Sequence, residues 1–188
     1  MDKYYRLNCK DGNREDYISD EYKNKIINMG SAHDGFPVSL KGYSINYQDE
    51  KLYNAAENSR RYTEINQKLQ TALGTYRNAL CAVYPPSGYI AWHNNANASA
   101  YNVIFTWSET GDGYWKHVDP NTGKDVLVKD VPGWQCKGFY FGSYEDDPKS
   151  LVYHMASTDC WRMTVAYVFD RRHKDHWEAV IEELETID

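Results

Sequence analysis

The feature that most constrains the fold is a series of short apolar segments that recurs between residues 80 and 169. The segments are rich in β-branched and aromatic residues, and turns containing glycine, proline, asparagine or aspartate separate most of them. About eight short strands at such regular spacing are typical of a β-sandwich or a barrel. The predicted strands are 80–84, 89–92, 100–107, 114–118, 126–128, 138–141, 151–154 and 163–169.

Helical periodicity flanks this strand region on both sides. Residues 15–29 and 49–79 carry apolar side chains at three- and four-residue spacing, and the second stretch is one helix or two, broken near Ser59 or Gly74. A short strand over 38–47 and a C-terminal helix over 173–187 complete the pattern. We therefore expect an α+β fold, a double-stranded β-helix (a jelly-roll or cupin-like barrel) with N-terminal helices and a C-terminal helix.

The chain length of 188 residues favours a single domain over 1–188. Within it, we expect residues 1–79 to be mainly helical support, 80–170 the β-helix core and 171–188 the closing helix.

Composition restricts the partners and the compartment. A net charge of −6 disfavours nucleic acid as a partner, although a base-flipping enzyme could work from a small basic groove. The four cysteines are scattered and form no CxxC pair, which indicates reduced thiols. The N-terminus lacks an apolar signal core, and no apolar run approaches the length of a membrane span. These observations predict a soluble, cytoplasmic protein with no membrane partner.

Two histidines at the ends of separate predicted strands suggest a metal site. His93 follows the second strand, and His154 ends a strand about sixty residues later. Neutral imidazoles from different strands can hold a divalent metal and leave positions open for a ligand and oxygen. Arg162, at the start of the next apolar run, can bind a carboxylate through two parallel hydrogen bonds. The pattern therefore predicts a metal site with a cosubstrate that carries a carboxylate.

These residues also support a resemblance to a known family. Tyr84-x8-His93, Tyr153-His154 and Arg162-Met-Thr164 resemble, in order and spacing, the motifs of Fe(II)- and 2-oxoglutarate-dependent oxygenases, in particular the prolyl-hydroxylase and alkylated-base-demethylase branches. The chain is also similar to small oxygenase-like proteins of phages and bacteria, in which a Trp-His-x-Asn variant occurs. The resemblance covers residues 80–170, about half of the chain.

The resemblance implies an activity and a role for each matched residue. His93 and His154 would be Fe(II) ligands, with Asn95 at the third ligand position. Arg162, Tyr84 and Thr164 would bind 2-oxoglutarate, the arginine through the distal carboxylate. The implied reaction is oxidative decarboxylation of 2-oxoglutarate coupled to hydroxylation of a substrate, which the sequence does not identify.

Asn95 departs from the family pattern, because the usual residue there is aspartate. An amide oxygen can coordinate a metal but adds no negative charge. Three outcomes follow: the amide is a working ligand, a carboxylate such as Asp112 or Glu109 reaches the metal, or the site binds a ligand without turnover. Halogenating relatives carry alanine or glycine at this position, so the bulkier Asn95 disfavours halogenation.

The sequence thus leaves three functions to compare. The first is a 2-oxoglutarate-dependent oxygenase, and the second is an oxygenase-fold protein that binds a ligand without metal chemistry. The third is a cupin-like barrel that binds a sugar or another ligand, with incidental histidines. Two further histidines have ordinary interpretations, since His33 is expected in a surface loop and His117 in an exposed hairpin.

Overall fold

The structure, a computed structural model, describes residues 12–44, 55–75 and 77–186. Its centre is a pair of five-stranded sheets, and every strand pairing in them is antiparallel. One sheet has the order β1-β4-β9-β6-β7 and the other the order β2-β3-β10-β5-β8. The strands are β1 Leu40–Lys41, β2 Tyr43–Ser44, β3 Arg77–Tyr84, β4 Gly88–His93, β5 Ala100–Ser108, β6 Gly113–Val118, β7 Asp125–Lys129, β8 Gly133–Phe141, β9 His154–Thr158 and β10 Arg162–Phe169.

The strand order confirms the predicted fold class. Strands β3, β5, β8 and β10 belong to one sheet, whereas β4, β6, β7 and β9 belong to the other. The chain therefore crosses between the sheets after every strand from β3 to β10 except at the β6–β7 hairpin. This winding of two antiparallel sheets is that of a double-stranded β-helix, or jelly roll.

The helices pack on part of the outer face of each sheet. Helices α3 (Ala55–Leu73) and α4 (Lys174–Glu185) pack through Leu73 and Val180 onto the sheet that contains β3. Helices α1 (Arg14–Ile18) and α2 (Asp20–Met29) pack around Trp92 on the outside of the other sheet. The helices thus lie outside the sheets, and polar side chains between the sheets line a cavity.

Several element boundaries differ from the predictions. The expected helix over 15–29 divides at Ser19, whose hydroxyl accepts the N–H of Tyr22 and so begins α2. Helix α3 ends at Leu73, because Gly74 has a left-handed φ of 64°, and β3 begins at Arg77. Residues 49–54 of that predicted helix lie outside the described part of the chain.

Two predicted strands were also wrong in detail. The expected strand over 38–47 is two short strands in different sheets, and its residues 45–47 lie outside the described ranges. The chain changes sheets at Gly42, where a Cβ atom would lie 3.0 Å from the ring of Tyr84. Strand β9 begins at His154, where the predicted strand over 151–154 ended.

No helix in the described ranges is long and apolar enough to cross a membrane. The cysteines in these ranges, Cys81, Cys136 and Cys160, are all free thiols.

Candidate functional site

The two sheets enclose a cavity of about 330 Å³. Its wall contains every site residue predicted from the sequence: Tyr84, His93, Asn95, His154, Arg162 and Thr164. They come from β3, β4, β9, β10 and the loop after β4. The fold thus brings together, in one cavity, residues that are up to eighty positions apart in the chain.

A bulge in β4 directs His93 into the cavity. Ile90 and His93 both line the cavity although they are three residues apart, a spacing that would place them on opposite faces of a regular strand. The register of β4 against β9 shifts between these two residues, which restores the alignment. His93 then stands directly opposite His154, and the centroids of the two rings are 4.1 Å apart.

Backbone hydrogen bonds orient both imidazole rings. His93 Nδ1 donates to the carbonyl of Ala91 at 2.8 Å, and His154 Nδ1 donates to the carbonyl of Val152 at 3.0 Å. Because a carbonyl can only accept, each Nδ1 carries the proton and each Nε2 keeps its lone pair. This arrangement is typical of histidines that ligate a metal.

Burial keeps the two rings neutral. It lowers the pKa of His93 to about 4. The pKa of His154 lies well below its usual value because the ring is buried and because His93 is adjacent. Both rings are therefore uncharged at neutral pH and available as metal ligands.

Asn95 lies half-buried at the same end of the cavity, which we call the histidine end (His93, Asn95 and His154). Its neighbour Asn94 fixes the loop, since the Asn94 side chain donates to Tyr144 Oη at 2.6 Å and accepts the N–H of Ala96 at 2.9 Å. Asn95 brings an amide oxygen to the cavity wall but no charge.

No carboxylate among the described residues lines the cavity in place of the missing aspartate. Among the described residues, no three His, Cys, Asp or Glu side chains form a group that could hold a metal. Glu109 and Asp112, considered above as substitutes, are exposed and do not line the cavity. The carboxylate of Asp112 instead accepts the hydroxyl of Thr110 at 2.7 Å. The idea that either carboxylate reaches the metal is therefore wrong.

The expectations for His33 and His117 were also wrong, because both rings are buried. His117 is the β6 partner of His154, and its ring stacks on Trp115 at 4.3 Å. His33 Nδ1 accepts the N–H of Gly35 at 3.0 Å. Within the described part of the chain, His33 Nε2 and His117 Nδ1 are buried without a hydrogen-bond partner. The alternation of Trp115 and His117 in β6 was the one sequence signal that could have indicated a buried position.

The opposite end of the cavity, which we call the cationic end, is built around Arg162. Arg162 is buried, and its Nε donates to Asp130 Oδ2 at 2.7 Å, while its Nη1 donates to Thr164 Oγ1 at 2.7 Å. The guanidinium carbon lies 5.8 Å from the centroid of the Tyr84 ring. The sequence analysis expected a ligand to be the anionic partner of this arginine, whereas the fold supplies Asp130.

Three further residues at this end could not be predicted from the sequence: Asp130, Lys137 and Thr106. Asp130 follows β7 in a segment, Asp-Val-Pro-Gly, that has the composition of an ordinary surface turn. Lys137 and Thr106 line the cavity, but they stand in strands where a lysine or a threonine is ordinary. No local signal marks them, because only strand pairing shows which face is inward.

The arrangement has a definite chemical capacity. One end presents two neutral imidazole lone pairs and an amide oxygen, and the other presents cations and hydroxyl groups. A ligand that chelates a metal through one end and carries a carboxylate at the other would match both.

Comparisons with known proteins found distant structural similarity. No family model and no curated protein matches the chain. Solved structures that are similar include a prolyl-4-hydroxylase from Pseudomonas putida, at 13% identity and a TM-score of 0.36 over 80% of this chain and 85% of that one. The viral collagen prolyl hydroxylase of Paramecium Bursaria Chlorella virus-1, in a 2OG complex, is 13% identical, with a TM-score of 0.37 over 89% of this chain and 96% of that one.

A structure of an unrelated kind of protein is similar to the same degree. CENP-C of Drosophila melanogaster, bound to CAL1, is 9% identical, with a TM-score of 0.34 over 60% of this chain and 99% of that one. Likeness at these identities and TM-scores does not extend to activity or ligand. The double-stranded β-helix is accordingly assigned from the strand order of this chain.

Proposed function

We propose that this protein is an Fe(II)- and 2-oxoglutarate-dependent oxygenase that hydroxylates a substrate still to be identified. The observation that carries the proposal is the pair of neutral imidazoles, His93 and His154, whose Nε2 lone pairs are left available by their Nδ1–carbonyl hydrogen bonds. They share one cavity with a buried arginine, as a 2-oxoacid with a second carboxylate requires.

The donor atoms fit Fe(II), but none of them carries a negative charge. His93 and His154 would hold the metal, and Asn95 would add a neutral amide oxygen. A chelating 2-oxoacid carries negative charge of its own, so it offsets part of what the missing aspartate would contribute. Bound iron supplies the oxygen-activating chemistry. The chain's residues orient the ligand along the cavity, with Arg162, Tyr84 and Thr164 at the far end.

A second candidate is a barrel that binds a dicarboxylate without turnover. It is favoured by the neutral side chain of Asn95. It is also favoured because the described residues offer no charged third ligand beside the two histidines. The cytoplasmic location inferred from the sequence stays a prediction under either function.

The test is an oxygen-free titration of the metal-free protein with Fe(II) and 2-oxoglutarate, followed by the visible charge-transfer band. We expect a band in the wild type, no band in His154→Ala, and an unchanged band in His173→Ala, which removes an exposed histidine. A folded wild-type protein that gives no band contradicts the oxygenase proposal. Dicarboxylate binding without a band favours the second candidate.

A further inference from the structure

The cationic end of the cavity holds more positive charge than its carboxylate can balance. Arg162 and Lys137 both line the cavity, and Asp130 is the carboxylate that pairs with the arginine. Both oxygens of Asp130 are already engaged, Oδ2 by Arg162 Nε at 2.7 Å and Oδ1 by Gln135 Nε2 at 2.8 Å. The Arg162–Asp130 pair is therefore neutral as a unit, and Lys137 is left as excess charge.

Lys137 has no partner for this charge among the residues that the structure describes. Its Nζ is buried and makes no hydrogen bond. Burial lowers the pKa of Lys137, although Asp130 acts in the opposite direction. An enclosed ammonium without an anion is unfavourable by several kcal/mol, so the site favours a ligand that brings one.

Thr106 adds a second unsatisfied polar atom. Its side chain is 1% exposed, lines the cavity and has a buried Oγ1 without a hydrogen-bond partner. Thr106 stands opposite Gln135 in the β5–β8 ladder, and the next inward pair is Ile104 with Lys137. The unsatisfied hydroxyl and the unsatisfied ammonium thus belong to adjacent levels of one sheet.

The register also places Lys137 on the inner side of the cationic end, facing the histidine end. Strand β8 runs from Gly133, near the level of Arg162, to Phe141, whose ring packs 4.8 Å from His154. Lys137 is midway along that path. A ligand held at the histidines and extending toward Arg162 therefore reaches Lys137 first.

We infer that Lys137 Nζ and Thr106 Oγ1 bind the far carboxylate of a dicarboxylate ligand beside Arg162, whose Nε is held by Asp130. The identification of this ligand as 2-oxoglutarate rests on the proposed function. Recognition of a dicarboxylate follows from the two unsatisfied atoms themselves. The site consequently discriminates dicarboxylates from monocarboxylates of the same chain length.

The experiment compares 2-oxoglutarate with 2-oxopentanoate, which has a methyl group in place of the far carboxylate. Calorimetry with Mn(II) present gives the Kd of 2-oxopentanoate divided by the Kd of 2-oxoglutarate, which measures the preference for the dicarboxylate. In Lys137→Met we expect this ratio to fall about tenfold or more, as loss of a charge-assisted hydrogen bond does. Lys124→Met removes an exposed lysine in the β6–β7 hairpin and should leave the ratio unchanged.

A second readout separates ligand binding from a structural role. Because Lys137→Met removes an uncompensated buried charge, the ligand-free variant should resist urea at least as well as the wild type. A structural lysine would instead lower stability when replaced. Loss of stability together with an unchanged Kd ratio would overturn the inference.

A metal-free arm keeps this inference distinct from the proposed function. Glutarate lacks the chelating 2-oxoacid group, so its binding to the metal-free protein reports on the cationic end alone. Glutarate binding that weakens in Lys137→Met, without a charge-transfer band in the wild type, supports the inference and contradicts the oxygenase. A wild-type protein that binds neither glutarate nor 2-oxoglutarate overturns the inference.

Discussion

The two ends of the cavity differ in how completely the fold satisfies them. At the histidine end, each ring donates its Nδ1 proton to a backbone carbonyl, and burial lowers its pKa so that the ring is neutral. These two rings therefore need no ligand to balance a charge. At the cationic end, Asp130 pairs with Arg162, whereas the Lys137 ammonium and the Thr106 hydroxyl are buried and remain unsatisfied among the described residues. The first end lacks negative charge for a metal, and the second has positive charge left over.

This difference suggests how the two ends depend on one ligand. A chelating dicarboxylate brings one negative group to the metal, where Asn95 brings none, and another to Lys137. Each end of the cavity thus lacks a negative charge that one of the two carboxylates of the ligand would supply. Variants that add or remove one charge at either end are therefore the sharpest test of the comparison.

The largest effect is expected from Asp130→Ala. This change leaves Arg162 and Lys137 buried without a carboxylate, which should reduce the free energy of unfolding by about 3–5 kcal/mol. His154→Ala, at the histidine end, removes a neutral ring and should cost about 1–2 kcal/mol through its lost hydrogen bond. Urea unfolding at neutral pH measures both.

The control for Asp130→Ala is Asp175→Ala, which removes an exposed carboxylate from α4 and should change stability little. Equal losses for Asp130→Ala and His154→Ala would break the comparison, because they would mean that the buried charge at the cationic end has no special weight.

The next effect concerns the charge missing from the histidine end. Asn95→Asp replaces a neutral amide by an anionic carboxylate at the cavity wall, so the affinity for Mn(II) should rise about tenfold or more. Electron paramagnetic resonance of free Mn(II) measures the change. Asn121→Asp adds the same charge in the exposed β6–β7 hairpin and should have no such effect. Unchanged affinity in Asn95→Asp would show that side chain 95 does not reach the metal.

The sequence predicted the histidine end much better than the cationic end. Strand periodicity is local, so the β-helix and the positions of His93 and Arg162 at strand ends could be inferred from short windows of sequence. The partners of those residues depend on long-range pairing. Asp130 is 32 positions from Arg162 in the chain, in a segment that resembles a turn.

Inward orientation was the other limit of the sequence. Lys137 shares one face of β8 with Gln135 and Phe139, and this composition is compatible with a solvated face. Only the pairing of β8 with β5 shows that the face lines the cavity. The bulge before His93 was equally invisible, since one extra residue in a strand leaves no compositional signal.

Another pair of lysines shows the behaviour of paired cations. Lys23 and Lys116 lie 5.5 Å and 5.6 Å from the centroid of the Trp92 ring, and both ammonium groups bond Asp20 and Asp125. Here two cations meet two carboxylates. Lys23→Met should therefore reduce stability by about 1 kcal/mol, whereas Lys137→Met should not.

Acid should expose the same contrast. Hydrogen bonding to Lys23 and Lys116 lowers the pKa of Asp20, and it lowers the pKa of Asp125 despite the opposing effect of burial. Lowered folded-state values mean that this stability is present above the ordinary aspartate pKa of about 4 and is lost as pH falls through the lowered values. Urea unfolding from pH 7 to pH 3 should show a smaller acid loss in Lys23→Met than in the wild type; parallel curves would contradict this account.

The smallest effect compares two threonines that stand opposite each other in β5 and β10. Thr164 Oγ1 accepts a hydrogen bond from Arg162, but Thr106 Oγ1 is buried without a partner. Thr164→Val should therefore reduce stability by about 1 kcal/mol, and Thr106→Val should leave it unchanged or raise it slightly. Dicarboxylate binding should respond in Thr106→Val, with a loss smaller than in Lys137→Met because the hydroxyl carries no charge. Calorimetry measures the ligand affinity of the two variants, and urea unfolding measures their stability. Equal stability losses would mean that the hydroxyl of Thr106 already has a hydrogen-bond partner in the free protein, which would contradict its proposed role in binding a ligand.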